Sequence, residues 1–236
     1  MHETAQLGLP LVQASQAQKH VTVNEALMRL DGLVQLTLQS NSQTMPPLAV
    51  LNGACYGVPA GAVNEWSGQD GNVAIGSNSG WVFAAPARGW RAYIADVGQS
   101  AIHDGSVWRG GQITLSPHNA GLSASVAEID HDVISGPVST TVAIIPSNAM
   151  VIGVTARVIR EITGTLSSWE LGNPGAAGRF GSGLGLAAGS YARGLLGQPT
   201  AFYSPTAMQL DASGGDFADG AVRIAVHYLT LGLPDL

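Results

Sequence analysis

Charge is what this sequence has least of. Only 11 % of its 236 residues are Asp, Glu, Lys or Arg, against about a quarter in an ordinary soluble domain. Lys19 is the single lysine, and the formal net charge is −6. No basic patch exists to neutralise phosphates, so nucleic acid is not an expected partner. Cysteine is nearly absent too. Cys55 alone makes no intrachain disulfide and no thiolate metal site within one chain, and it reads as a small buried hydrophobe. No apolar run reaches the roughly 18 residues of a membrane-spanning helix. The opening MHETAQLGLP lacks the basic start and long apolar run of a signal peptide, so the expectation is synthesis in the cytoplasm with no membrane insertion.

Glycine is abundant instead, at 31 residues, with 12 prolines and 45 % apolar residues. Many glycines between short apolar runs describe a mainly β protein with tight turns. A surface poor in charge also suits a chain partly covered in an assembly. One stretch breaks the β pattern. Residues 16–38 carry Val23, Leu27, Leu30 and Val34 at spacings of four, three and four, which places them on one stripe of an α-helix. Thr22 followed by Glu25 has the spacing of an N-terminal capping box. Such a stripe is also a short coiled-coil seam, so its partner is either the rest of the chain or further copies of the same helix. The segment before it, 1–15, reads as an extended arm. Its Leu7, Leu9, Leu11 and Val12 dock either on their own domain or on a neighbouring protein.

The chain divides into an arm and helix (1–45), a small all-β module (46–115), a connector (116–137) and a C-terminal β-sandwich of jelly-roll type (138–236). In the small module, strands are expected at 73–75, 81–84, 91–94 and 101–103. Asp70-Gly71 and Asp104-Gly105 read as hairpin turns, each leading to a strand that buries a tryptophan. Trp66, Trp81, Trp90 and Trp108 supply most of a core, or else an aromatic platform. The connector carries a short helix over 124–129. The run Asp130-His131-Asp132 points alternate side chains to opposite faces in a strand, which argues against one shared ion. In the sandwich, long strands are expected at 138–145, 150–163 and 221–231, with shorter ones near 167–171, 184–187, 200–202 and 208–211. Ile152, Val154, Ala156 and Val158 face inward with Val222, Ile224, Val226 and Tyr228, while Arg157, Ile159, Glu161, Arg223, Ala225 and His227 face outward. The 150–163 and 221–231 strands are expected to pair at the sandwich centre.

Several passages go beyond pattern. LGLPLVQASQAQKHVTVNEALMRLD, GWRAYIAD and HDGSVW resemble the N-terminal region of a family of phage-derived proteins found in prophages and gene transfer agents of alphaproteobacteria. IPSNAMVIGVTARVIREITG, SWELG, RFGSGLGLAAGSYARGL and GGDF resemble the C-terminal domain of the same family. The resemblance implies a head spike or fibre on the surface of a phage or gene-transfer-agent particle. Residues 1–38 would meet a capsid or spike-base protein, and the C-terminal domain would bind host capsular polysaccharide. Such fibres are usually homotrimers, which would use the Val23, Leu27, Leu30 and Val34 stripe. The alternative is a spike base or decoration that holds another fibre without binding sugar.

A sugar site needs a flat aromatic ring and fixed polar groups, and the C-terminal module offers Trp169, Arg179, Tyr191, Arg193 and Tyr203. Trp169 is equally a core residue, and Arg179 equally a loop-bracing one. Tyr191 and Arg193, two apart, share one face if that piece is extended. Asp211, Asp216 and Asp219 do not follow a calcium-loop spacing. Gly181 to Gly189 lacks the Gly-Lys-Ser/Thr ending of a phosphate loop. Neither a paired-carboxylate signature nor a G-x-S-x-G elbow is present, so no catalytic residue, metal or cofactor is expected, and the chain reads as a non-enzyme.

Overall fold

The computed structural model describes residues 2–13 and 19–236, the side chain of Lys19 excepted. The start of the expected helix at residues 16–18 lies outside the described residues. The described chain is mainly β and forms two compact units. The first comprises residues up to Asn119 together with Asp235 and Leu236, and the second runs from Ala120 to Pro234.

The first unit contains helix α1 (Lys19–Leu33) and strands β1 (Thr37–Leu38), β2 (Cys55–Gly57), β3 (Val73–Ser77), β4 (Gly80–Ala84), β5 (Arg91–Ile94), β6 (Gln99–His103), β7 (Trp108–Gly110) and β8 (Gln112–Leu115). Seven of them form a sheet in the order β4-β3-β2-β1-β5-β6-β7. The helix stops five residues short of the expected end. Gln35 takes a left-handed backbone (φ 54°), and Thr37 and Leu38 become the centre of the sheet, parallel to both neighbours. Thr22 lies inside α1, so it does not cap the helix. Helix α1 meets the unit through Met28, Asp31 and Gly32, all buried. A Cβ on Gly32 would stand 2.7 Å from Ile75 Cγ2, so this glycine sets how closely the helix lies on β3. The expected stripe faces away from that contact. Val23 is 43 % and Leu30 48 % exposed, Val34 is also exposed, and Leu27 is half-buried.

The arm lies on its own helix. Glu3 bridges Pro10, and the amides of Thr4 and Leu11 donate to the carbonyls of Leu9 and His2. Asp31 accepts the backbone N–H groups of Gln6 (3.0 Å) and Leu7 (2.7 Å), and Asn24 pairs with both the N–H and the carbonyl of Val12. The backbone is therefore docked while the side chains of Leu7 and Val12 stay exposed.

The tryptophans do not make most of the core. Leu38, Cys55, Val73, Ile75, Ala92, Ile94 and Ala101 do, and only Trp66 is fully buried among the four, in a cluster with Tyr56 and Trp81. The β3–β4 hairpin turns at Asn78-Ser79, both with positive φ, whereas Asp70-Gly71 is a separate turn ahead of β3. Asp104 does hold the β6–β7 turn. Its carboxylate accepts the N–H groups of Ser106 and Val107 and the guanidinium of Arg109, and these bonds hold its pKa down against the desolvation that opposes them. Burial of Cys55 pushes its thiol up to about 12, so it is an inert core group.

The second unit has eight strands: β9 (Gly121–Asp132), β10 (Val138–Ile145), β11 (Ala149–Gly164), β12 (Ser168–Asn173), β13 (Ala176–Leu184), β14 (Tyr191–Phe202), β15 (Thr206–Ser213) and β16 (Phe217–Leu231). One sheet runs β10-β15-β12-β13, and in the other β14, β11, β16 and β9 lie side by side in that order. Numbered from β9, the two orders are second-seventh-fourth-fifth and first-eighth-third-sixth, the strand order of a jelly roll. As expected, β11 and β16 pair antiparallel at the centre of their sheet. The core is built on Val154, Val158, Trp169, Leu171, Phe180, Met208, Phe217, Val222, Ile224 and Val226.

Three expectations are corrected here. Residues 116–137 are not a connector with a helix over 124–129, because β9 pairs with β16 over eleven positions from Leu122 to Asp132. Ile152 faces outward, since the ladder slips between Val151 and Gly153 and moves Val151 to the core instead. The glycine-rich stretch around Arg179 and Gly181 is strand β13, not a loop. Glycine is required where β13 and β14 approach, since a Cβ on Gly194 would strike the Phe180 carbonyl.

Candidate functional site

The outer face of the β14-β11-β16-β9 sheet carries two rows of side chains across four strands. In one row Tyr191 stands opposite Arg157, Arg157 opposite Arg223, and Arg223 opposite Asp130. In the next, Arg193 stands opposite Thr155, Thr155 opposite Ala225, and Ala225 opposite Glu128. Alternation along each strand sends Ala192, Ala156, Ile224 and Ile129 inward, so these polar groups have no choice but the outer face. All of the two rows but Asp130 line an open depression of about 440 Å³. Tyr191 is 63 % exposed, and the Arg193 guanidinium lies 6.0 Å from its ring centre in a cation–π contact.

Charge is unevenly spent on this face. Arg223 holds Asp130 through two bonds of 2.6 and 2.7 Å, with Glu128 at 3.9 Å. That fork holds the Asp130 carboxyl below its ordinary range and raises the Arg223 guanidinium. Arg160 is engaged differently, donating one bond to Asp132 and one to Asp219. Arg157 and Arg193 meet no carboxylate among the described residues. A second, apolar depression of about 260 Å³ adjoins the first through Thr155 and Arg193, and is lined by Ile152, Gly153, Leu195 and His227.

The five sequence-predicted site residues are not brought together. Tyr191 and Arg193 share a face and a depression, as their spacing required. Trp169 is 1 % exposed, packed in the jelly-roll core with its indole N–H donating to the Gly185 carbonyl at 3.0 Å, so it offers no ring to a ligand. Arg179 lies on β13 over the ring of Phe202. Tyr203 is exposed just beyond the opposite end of β14 from Tyr191. Arg157, Thr155, Arg223 and Glu128 were missed as site residues. The outward alternation of Arg157 and Arg223 was the available signal, but it needed the strand order to become a site. Asp130 and Asp132 face outward and His131 inward, bonded to Ser139 at 2.8 Å; burial lowers the His131 pKa. No cluster of His, Cys, Asp and Glu among the described residues has metal-binding geometry. No helix among them is long and apolar enough to cross a membrane.

The second unit thus belongs to the class of eight-stranded jelly-roll domains with a polar, partly unneutralised face on one sheet. Comparison with known proteins adds a partial match in the other part of the chain. A family model described as a protein of unknown function, DUF2793, matches residues 23–109, which all lie in the first unit. No curated protein matches the chain. Among solved structures, a chain of the cyanophage Pam1 capsid asymmetric unit is similar at 23 % identity and a TM-score of 0.34, covering 47 % of this chain and 86 % of that one. At that score the likeness fixes neither fold nor function.

Proposed function

We propose that this chain is a surface spike or fibre component of a phage-like particle that binds host surface polysaccharide without cleaving it. The particle assignment rests on the resemblance carried by AQKHVTVNEAL and RFGSGLG. The binding assignment rests on the depression at Tyr191, Arg157 and Arg193, which joins an exposed aromatic ring to guanidinium hydrogen-bond donors, the two elements a sugar ring needs. The stripe of Val23, Leu27, Leu30 and Val34, exposed except for the half-buried Leu27, is assigned to a homotrimer contact, and residues 1–38 to the capsid or spike base. Three weak sites on one assembly hold a cell surface that one site would not.

The test is retention of the labelled full-length chain on encapsulated cells and on isogenic capsule-free cells. The expected result is retention on encapsulated cells alone, lost in Tyr191→Ala with the circular dichroism spectrum unchanged. No retention by the folded chain would overturn the binding assignment. It would favour the second reading, a spike base that holds another fibre, for which the apolar depression at Ile152 and Leu195 would be the docking surface.

A further inference from the structure

We infer that the ligand of the β14-β11-β16-β9 face is an anionic glycan, whose sugar carboxylate sits between Arg157 and Arg193 beside the Tyr191 ring. The inference rests on the polysaccharide-binding reading above and names the chemical class of the sugar.

The argument is one of unmatched charge. Cross-strand neighbours on an exposed sheet normally alternate in sign, because like charges directly opposite repel. Here Arg157 stands directly opposite Arg223 and diagonal to Arg193. Arg223 is answered by Asp130 and Glu128 on β9. The neighbouring cation Arg160 is answered by Asp132 and Asp219. Arg157 and Arg193 have no acid of their own among the described residues, in a chain that carries 16 acidic residues against 10 basic ones and so has acids to spare. Within the two cross-strand rows, three arginines stand against two carboxylates, Glu128 and Asp130, a positive balance inside a molecule of net charge −6. A neutral sugar gives no reason for that arrangement. A carboxylate does, since a guanidinium presents parallel N–H groups that match its two oxygens. The site is open to solvent, which a polymer passing across it requires. Tyr191 supplies the apolar ring face against which the pyranose carrying that carboxylate packs.

The whole molecule's negative charge works against general attraction to polyanions, which makes the inference testable with polymers of defined charge. Full-length chain is titrated by fluorescence or calorimetry with polygalacturonate (carboxylate), dextran sulfate (sulfate) and dextran (neutral). The expected result is binding to polygalacturonate, weakened about tenfold in Arg157→Gln and in Arg193→Gln. Arg179→Gln, which removes the same charge from the other sheet, is expected to bind as the unaltered chain does. Equal binding of dextran sulfate, or an equal loss in Arg179→Gln, would reduce the effect to general charge attraction and overturn the inference. Capsule-dependent retention on cells that survives Arg157→Gln and Arg193→Gln, with no binding of polygalacturonate, would overturn it while leaving the polysaccharide-binding reading standing. No retention on encapsulated cells and no binding of any polymer would overturn both.

Discussion

Replacing Trp169 separates two explanations that a binding assay alone would confuse. A tryptophan in a domain proposed to hold sugars invites the expectation that Trp169→Ala stays folded and stops binding. The structure demands the reverse. The ring is fully buried among core residues of the jelly roll, and its N–H satisfies the Gly185 carbonyl. Truncation to alanine removes about 3–5 kcal/mol through lost burial and the cavity left behind. Orphaning the carbonyl costs roughly 1 kcal/mol more. Against a total stability of about 5–15 kcal/mol, this removes from roughly a third to nearly all of what holds the second unit. With a urea slope of about 1–1.5 kcal/mol/M for a unit of this size, the midpoint of its transition falls by roughly 3–6 M. Trp169→Phe keeps most of the volume and loses only the N–H bond and part of the ring, so its shift is expected to be less than half as large. The assay is urea unfolding followed by circular dichroism, with glycan binding measured on whatever remains folded. A Trp169→Ala chain whose midpoint moves by less than about 0.5 M while binding disappears would refute the reasoning and return the ring to the ligand.

Other outcomes follow from single contacts. Asp31→Ala removes the acceptor of the Gln6 and Leu7 N–H groups, so hydrogen exchange at these two amides is expected to rise sharply while β3 and β5 keep their protection; unchanged exchange would mean the arm is held elsewhere. Leu27→Asp with Leu30→Asp is expected to leave a monomer in sedimentation if the exposed stripe is the oligomer contact, and a trimer that persists would dismiss the stripe. His103 and His131 are both held below the ordinary imidazole value by burial, so the unfolded chain takes up their protons near pH 6.5 while the folded chain resists. Their stability is full above that pH and is lost as the pH falls below it. The paired carboxylates Asp104, Asp130 and Asp219 are shifted downward and lose theirs only below about pH 4. A urea midpoint lower at about pH 5.5 than at about pH 7.5 is therefore the histidines' effect, and His131→Gln is expected to flatten it for the second unit while the first, which holds His103, keeps its dependence.

What the sequence made legible depended on how cleanly apolar residues alternate. Strands β11 and β16 announce themselves because Val154, Ala156 and Val158 on one and Val222, Ile224 and Val226 on the other fill consecutive inward positions. Strand β9 does not, because its inward positions Ser123, Ser125, Ala127, Ile129 and His131 include a single large apolar residue, while Val126 points to solvent. The ladder with β16 holds it in place, and that ladder is invisible in the local pattern. Helix α1 was legible as a helix, but its end was not, since nothing about Gln35 marks a left-handed residue. Strands β13 and β14 were hidden by glycines, which signal turns as readily as the close approach of two backbones. The site was half legible. Alternation sends Arg157 and Arg223 outward and puts Tyr191 with Arg193, but only the strand order brings the two pairs side by side.

The same strand order sets stability against binding at one position. Arg157 lies opposite Arg223 and diagonal to Arg193, so a carboxylate there would face two guanidiniums instead of repelling them. Arg157→Glu is therefore expected to raise the urea midpoint of the second unit slightly, an unusual result for replacing a wild-type residue. It is also expected to abolish binding of polygalacturonate, because the new carboxylate occupies the place of the ligand's own. If position 157 serves only the fold, the change stabilises and leaves binding untouched. If the variant instead loses stability, Arg157 has a partner that the cross-strand geometry does not contain, and the case for unmatched charge on this face fails. Stabilisation together with lost binding is the pattern of a site that carries repulsion so that an anion from outside can relieve it.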